Sequence, residues 1–272
     1  MVLLRGVAAA VAASGFLALA AAANADAAGP PADRFDTVVI DAGHGGEDEG
    51  ARGPAGHLEK NLVLDVALLL SARLRATGLR VVLTRRTDTY VPLETRTAIA
   101  NDARGDLFLS IHANAVRDSE VRGTETFFLS LEASDEYARQ VALRENAAFR
   151  GPSQRGAPVD DPLVAILGDL IANEHSRESN EFARLAQARL GRLDPDASRG
   201  VKQAPFVVLT GVQMPASLVE IGFITNRGDE RDLHSRRGRE RIVSALAGAV
   251  RDFARRYDAR RGVAVGAPAR AR

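Results

Sequence analysis

The sequence predicts an α/β fold: a single domain whose twisted, mostly parallel central sheet is flanked by helices on both faces, with a helical insertion added to it. Three observations carry this expectation. Apolar strand-like runs alternate with segments of helical hydrophobic period between Thr37 and Ser130. Two histidines, His44 and His112, stand at or just past the ends of such runs, where the loops of a parallel sheet gather. From Leu131 to about His175 the alternation gives way to an acidic helical opening, a Gly/Pro-rich stretch and a further apolar segment.

Residues 1–25 carry Arg5, an apolar run from Val7 to Ala23 and the small residues Ala23-Asn24-Ala25, the pattern of a secretory signal peptide with an A-x-A cleavage site. Export to a periplasm, the cell exterior or the cell wall is therefore expected. The run is short for a membrane span and no stop-transfer pattern follows it, so no stable span is expected after its removal. Residues 26–35, with Gly29-Pro30-Pro31, read as a linker, and residues 36–257 as the folded domain.

Strand one, Thr37 to Ile40, opens into Asp41-Ala42-Gly43-His44-Gly45-Gly46, a loop whose glycines permit a tight turn carrying one imidazole. The loop lacks the G-x-G-x-x-G and G-x-x-x-x-G-K patterns of phosphate cradles. Leu62, Val66, Leu69, Leu70 and Leu74 form the stripe of an amphipathic helix ending near Gly78, with Glu59 in its first turn. Leu79 to Thr84 reads as the second strand and Arg85-Arg86-Thr87-Asp88 as its exit loop. A helix over Leu93 to Ala103, a strand over Asp106 to His112 and a strand over Gly123 to Ser130 follow. After the insertion, about residues 131–176, a helix from Arg177 to Leu193 buries Phe182, Leu185, Ala186 and Leu190. Phe206 to Thr210 and Ala216 to Ile224 read as strands, Arg239 to Tyr257 as the closing helix, and 258–272 as a disordered basic tail.

Composition excludes some functions. Lys+Arg number 36 against 35 Asp+Glu, so net charge gives no electrostatic case for nucleic acid. There is no Cys, hence no disulfide framework and no thiolate for catalysis. Any bound metal must be held by His, Asp and Glu.

His44, Glu59 and His112 supply two imidazoles and a carboxylate, the donor set of a catalytic zinc site with one position open. Spacing alone leaves another reading available, in which each His caps a strand and Glu59 complements the helix dipole. Ser217-Leu218-Val219-Glu220-Ile221-Gly222-Phe223 places an acid inside an apolar strand, where an unpaired charge is costly. Glu220 either pairs with a core arginine or serves as a general base. Asp41 and Asn114, near the histidines, are candidates for orienting the imidazoles. Arg86 and Arg96 either meet substrate carboxylates or form ordinary ion pairs. His57 can line the cleft or sit exposed on its loop, and His175 and His234 read as surface residues.

Taken together, Val39-Ile40-Asp41-Ala42-Gly43-His44-Gly45-Gly46, Glu59-Lys60-Asn61-Leu62, Thr84-Arg85 with Asp88, Ser110-Ile111-His112-Ala113-Asn114 and Val219-Glu220-Ile221-Gly222-Phe223 resemble the zinc-dependent N-acetylmuramoyl-L-alanine amidases (amidase type 3) of bacterial cell-wall turnover. The likeness covers about Thr37 to Tyr257. It implies Zn²⁺ as cofactor, His44, Glu59 and His112 as its ligands and Glu220 as the catalytic glutamate. The substrate it implies is peptidoglycan, cut at the amide between N-acetylmuramic acid and the L-alanine of the stem peptide. The insertion resembles the regulatory segment of division-associated members, at Arg144-Glu145-Asn146-Ala147 and Asp161 to Leu167. That likeness implies Glu145 as a residue blocking the zinc, with Glu174 and Glu178 as rivals, and a protein activator that relieves the block. An insertion that only widens the substrate rim is the other reading. Two alternative functions share these residues: a zinc peptidase acting on stem peptides, and a non-catalytic peptidoglycan-binding or activator protein.

Overall fold

The computed structural model describes residues 34–147 and 175–263. The signal segment, nearly all of the linker, Asp161 to Leu167, Glu174 and the tail beyond Val263 lie outside the described residues. Within them, no helix is long and apolar enough to cross a membrane.

Strands β1 (Thr37–Ala42), β2 (Arg80–Leu83), β3 (Leu107–Asn114), β4 (Thr124–Leu129), β5 (Ser198–Ala204) and β6 (Ala216–Phe223) form one sheet in the order β2-β1-β3-β6-β4-β5. Every neighbouring pair is parallel except β4 with β6. β1, β3 and β6 are buried along their whole length, which is why they read as near-continuous apolar runs.

Alternation along these strands divides the core into two layers. Val38, Ile40, Leu109, Ile111, Val219 and Ile221 face α1 (Glu59–Arg75), α4 (Ser176–Leu190) and α6 (Arg236–Arg260). Val39, Phe108, Phe127 and Leu218 face α2 (Leu93–Asp102), α3 (Glu136–Asn146) and a 3-10 turn at Val207–Leu209. Helix α3 is the described part of the insertion and begins at an Asp135 cap, whose carboxylate accepts from Ala138 N at 2.7 Å.

Some expectations are corrected. Phe206 to Thr210 is not a strand: its apolar side chains plug the second core layer, where the Phe206 ring lies 5.0 Å from that of Phe127. The sheet position belongs instead to β5, an edge strand whose polar, half-buried sequence hides any apolar alternation. A short helix α5 (Arg227–His234) was also not expected; Asn226 caps it by accepting from Gly228 N and Asp229 N. Leu69 is 37% exposed, and Val63 and Ala67 complete the buried face of α1 in its place. Helix α6 continues past Tyr257 to Arg260, and Asp258 accepts from Phe35 N at 2.7 Å, joining the two ends of the described domain.

Two buried arginines shape the loop after β1. Arg96 donates to Asp41 Oδ1 at 2.8 Å, Ala42 O at 2.7 Å and His44 O at 2.8 Å. Arg85 donates to Ala42 O at 2.9 Å, Gly43 O at 2.7 Å and Lys60 O at 2.8 Å. Asp41 also accepts from Thr84 Oγ1 at 2.6 Å and Ser110 Oγ at 2.7 Å. Burial opposes its charge, but Arg96 and these bonds hold its carboxyl below the usual range.

Arg96 is thus scaffolding, whereas Arg86 is exposed. Replacing Arg96 by Leu leaves Asp41 charged and unpaired in the core, so stability should fall by about 3–5 kcal/mol. Arg86→Leu should change it by less than about 0.5 kcal/mol. Urea unfolding of the two variants measures both; equal small losses would show that the clamp contributes nothing.

Candidate metal centre

Four polar atoms converge at the carboxyl ends of β1 and β3. His44 Nε2, His112 Nδ1, Glu59 Oε1 and Glu145 Oε2 belong to buried residues, and the donor atoms lie within 4.8 Å of one another. His44 Nε2 is 3.0 Å from Glu59 Oε1 and 3.3 Å from Glu145 Oε2. His112 Nδ1 is 3.2 Å from Glu59 Oε1 and 2.9 Å from Glu145 Oε2. The two imidazoles meet edge-on, with ring centroids 4.9 Å apart.

Each residue is brought there by a local device. His44 adopts φ +59°, a conformation a non-glycine residue keeps only when its surroundings impose it, and the Arg85 and Arg96 bonds to carbonyls 42–44 do so. Gly43 lets the His112 ring come against the backbone: a Cβ there would lie 2.4 Å from His112 Cε1. His112 is the sixth residue of β3, and its side chain alternates away from the apolar Ile111 into the site. Glu59 opens α1, where the helix dipole favours an acid. Its Oε2 accepts from Ala51 N at 2.9 Å and its Oε1 from Ala113 N at 3.0 Å.

The donors fit a metal cation. Asp48 Oδ2 lies 2.9 Å from His44 Nδ1, which leaves Nε2 as the free lone pair. That Nε2 is buried without a hydrogen bond and faces carboxylate oxygens, an arrangement that requires a positive charge between them. The titration behaviour agrees. Burial works against charging either imidazole, yet Glu59 raises His44 well above its ordinary value, and Glu145 with Glu59 raises His112 to about 10. Two imidazoles with carboxylate suit zinc by donor type.

Helix α3 supplies the fourth donor. Its Arg144 Nε is 3.0 Å from Glu145 Oε1, its Nη1 donates to Ala115 O at 2.5 Å and its Nη2 to Asn114 Oδ1 at 2.9 Å. The same Nη2 lies 3.8 Å from Glu220 Oε1. Glu220, paired in register with His112 across β3 and β6, is fully buried, and neither of its oxygens has a hydrogen bond. Burial, and then the charge of Glu145, push its carboxyl well above the usual range. A fully buried acid with a raised pKa, in register with a donor of the cluster, is the kind of environment in which general bases and acids are found.

Of the sequence-predicted residues, His44, Glu59, His112 and Glu145 come together and Glu220 lies beside them. Glu178 does not: it pairs with Arg260, Arg261 and His175. Asp41 and Asn114 do not orient the imidazoles. Asp41 is bound to Arg96, and Asn114 donates to Glu125 Oε1 at 2.5 Å. Asp48 was missed, although an acid four residues from a loop histidine is a readable signal. His57 belongs to neither the donor cluster nor open solvent; its Nδ1 is 3.0 Å from the buried Glu230, and its ring lies 3.9 Å from that of His234.

Comparison with known proteins agrees with this geometry. The Amidase_3 family model, described as N-acetylmuramoyl-L-alanine amidase, matches residues 38–252. The N-acetylmuramoyl-L-alanine amidase AmiA of Escherichia coli (strain K12) is 36% identical over 222 residues, which cover 81% of this chain and 77% of the relative. AmiC of Neisseria meningitidis serogroup B is 32% identical over 224 residues, 81% of this chain and 53% of AmiC. Among solved structures, the amidase AmiC2 of Nostoc punctiforme superposes with a TM-score of 0.62 at 27% identity, covering 81% of this chain and 98% of that one. The chain belongs to the N-acetylmuramoyl-L-alanine amidase family and is a peptidoglycan amidase, hydrolysing the bond between N-acetylmuramic acid and L-alanine.

Proposed function

We propose that this amidase is a zinc enzyme held in a self-inhibited state by α3, with His44, Glu59 and His112 as the metal ligands, Glu220 as the general base and Glu145 as the block. The observation that carries the reading is the donor cluster itself, whose members come from the loop after β1 (His44), the start of α1 (Glu59), the end of β3 (His112) and an inserted helix (Glu145). A zinc ion in that donor set supplies Lewis acidity to the scissile carbonyl and to the attacking water.

The protein's own groups account for the remaining steps. The Asp48 bond fixes the His44 tautomer, and the Ala51 and Ala113 amides fix the Glu59 carboxylate. Glu220, unsolvated and without hydrogen bonds, takes the proton of the water that attacks the amide carbonyl. It returns that proton to the departing amino group of L-alanine, so the amine leaves neutral. On this reading Glu145, in contact with His44 and His112, takes the place substrate needs, and Arg144 stands 3.8 Å from Glu220 Oε1. Withdrawal of α3 frees both groups at once.

The physiological part of the proposal is cell-wall remodelling or daughter-cell separation after export to the periplasm or cell wall, with an activator protein that draws α3 away. The zinc ligation and the activator are best separated by substitution. His44→Ala should lose bound zinc and activity together, read by metal analysis beside release of stem peptides from purified peptidoglycan. Full activity in that variant would break the assignment. Glu220→Gln should keep its zinc while turnover drops by about 10²–10⁴-fold. Glu145→Ala should hydrolyse peptidoglycan faster than the intact chain, by about tenfold if the closed state is favoured by ~1.4 kcal/mol; equal rates would remove Glu145 from the inhibitory role.

A further inference from the structure

One group of charged side chains is not used by the reading above. Glu125 of β4 is fully buried, and its register partner across the antiparallel pair with β6 is Glu220. One Glu125 oxygen accepts from Asn114 Nδ2 at 2.5 Å and Tyr137 Oη at 2.7 Å. The other faces Arg199 Nε at 3.4 Å and Lys202 Nζ at 3.6 Å. Lys202 has a second carboxylate neighbour, Asp135 Oδ2, at 3.5 Å. Both Lys202 separations exceed the ~2.7–2.9 Å of a charge-assisted hydrogen bond. The ammonium is therefore shared between two carboxylates, one of which, Asp135, belongs to the start of α3.

Register explains how two cations share this place. Thr124 pairs with Ser198 and Thr126 with Val201, so Arg199 and Gly200 together stand opposite the single residue Glu125. Gly200 takes φ +84°, which favours glycine. In an unbroken strand, residues three apart face opposite ways. The extra residue turns Arg199 and Lys202 to the same side, toward α3, while Ser198 faces α4 and accepts from Gln187 Nε2 at 3.0 Å. Bulges that re-aim side chains recur beside active sites.

Helix α3 covers both cations. The Tyr137 ring lies 5.0 Å from the Arg199 guanidinium carbon and 4.2 Å from the Lys202 nitrogen. Asp135, at the start of the helix, meets Lys202, and Glu145, near its end, enters the donor cluster. The helix rise separates these two acids by about 15 Å, the reach of about four residues of extended peptide. The helix thus sets carboxylates at two points that an extended acidic peptide bound at the donor cluster would span.

We propose that Arg199 and Lys202 form a specificity subsite for a free carboxylate of the stem peptide, which α3 occupies with Asp135 and Tyr137 while Glu145 occupies the donor cluster. This rests on the reading of α3 as a removable cover. The Arg199 guanidinium carbon is 5.2 Å from the ring of Phe223, on the strand of Glu220, and Glu125, which Arg199 faces, is the register partner of Glu220, so the cations lie on the same part of the sheet as the proposed base. Removal of α3 takes away one of the two anions facing Lys202 and the aromatic face over both cations. Their charge is then available to a ligand.

The test is a substrate comparison on the zinc-loaded full chain carrying Glu145→Ala. Two soluble muramoyl peptides are used, one with free stem carboxylates and one with them amidated. The amidated substrate should have a KM about tenfold higher, the loss expected for one charged hydrogen bond. Adding Lys202→Gln, which leaves Arg199 and Asn114 on Glu125, should bring that ratio to about one, and Lys202→Arg should restore it. A structural role for Lys202 would shift both substrates alike and keep the ratio, and that result overturns the subsite. If Glu145→Ala proves no faster than the parent, the inhibition reading fails separately, and the same ratio is read in the parent chain with and without Lys202→Gln.

Discussion

The site depends on a turn that the backbone would not keep unaided. His44 sits at φ +59° between glycines, and what fixes it there is a pair of buried guanidinium groups bonded to three consecutive carbonyls, Ala42, Gly43 and His44. Asp41 is the anchor of that arrangement, since it gives Arg96 a charged partner in the core and is itself bound to β2 and β3 neighbours through Thr84 and Ser110. The rigidity of the sheet is in this way passed to the loop. Gly43 then allows the His112 ring against the backbone, and the two imidazoles meet edge-on.

The cluster has more negative than positive character unless a cation is present. Asp48, Glu59 and Glu145 surround two imidazoles whose proton affinities are raised by exactly those neighbours. The attraction that draws these donors together also holds Glu145, an acid carried by an inserted helix. Arg144 makes the same helix selective for this docking position, because it bonds to Ala115 and Asn114 just beyond β3 while standing near Glu220. Displacing α3 must break contacts at both of its ends, with Tyr137 and Asp135 at one and Arg144 and Glu145 at the other.

Much of this was legible in the residues. The buried parallel strands β1, β3 and β6 announce themselves because burial on both faces leaves apolar runs, and the same property marks His112 and Glu220 as exceptions with a purpose. The edge strand β5 was not legible, since a half-buried strand with a bulge has neither a run nor a clean alternation. Phe206 to Leu209 misled for the opposite reason: apolar residues there serve packing and not pairing. Asp41 was misassigned because proximity in sequence to His44 says nothing about which way its side chain turns; β1 alternation sends it to Arg96, and the loop brings Asp48 round instead.

Glu125 and Glu220 show how far environment, and not residue type, sets chemistry. They face each other across β4 and β6, both fully buried. Glu125 is surrounded by donors from Asn114, Tyr137, Arg199 and Lys202, whereas Glu220 has none within hydrogen-bond distance. The donors are drawn to one side by the bulge at Gly200, which commits both cations of β5 to the strand beside Glu220 without letting them reach it. A cation bonded directly to Glu220 would stabilise its charged form and weaken it as a base. The register of the edge strand β5 thereby keeps both of its cations on Glu125 of β4 and off Glu220, one strand further in.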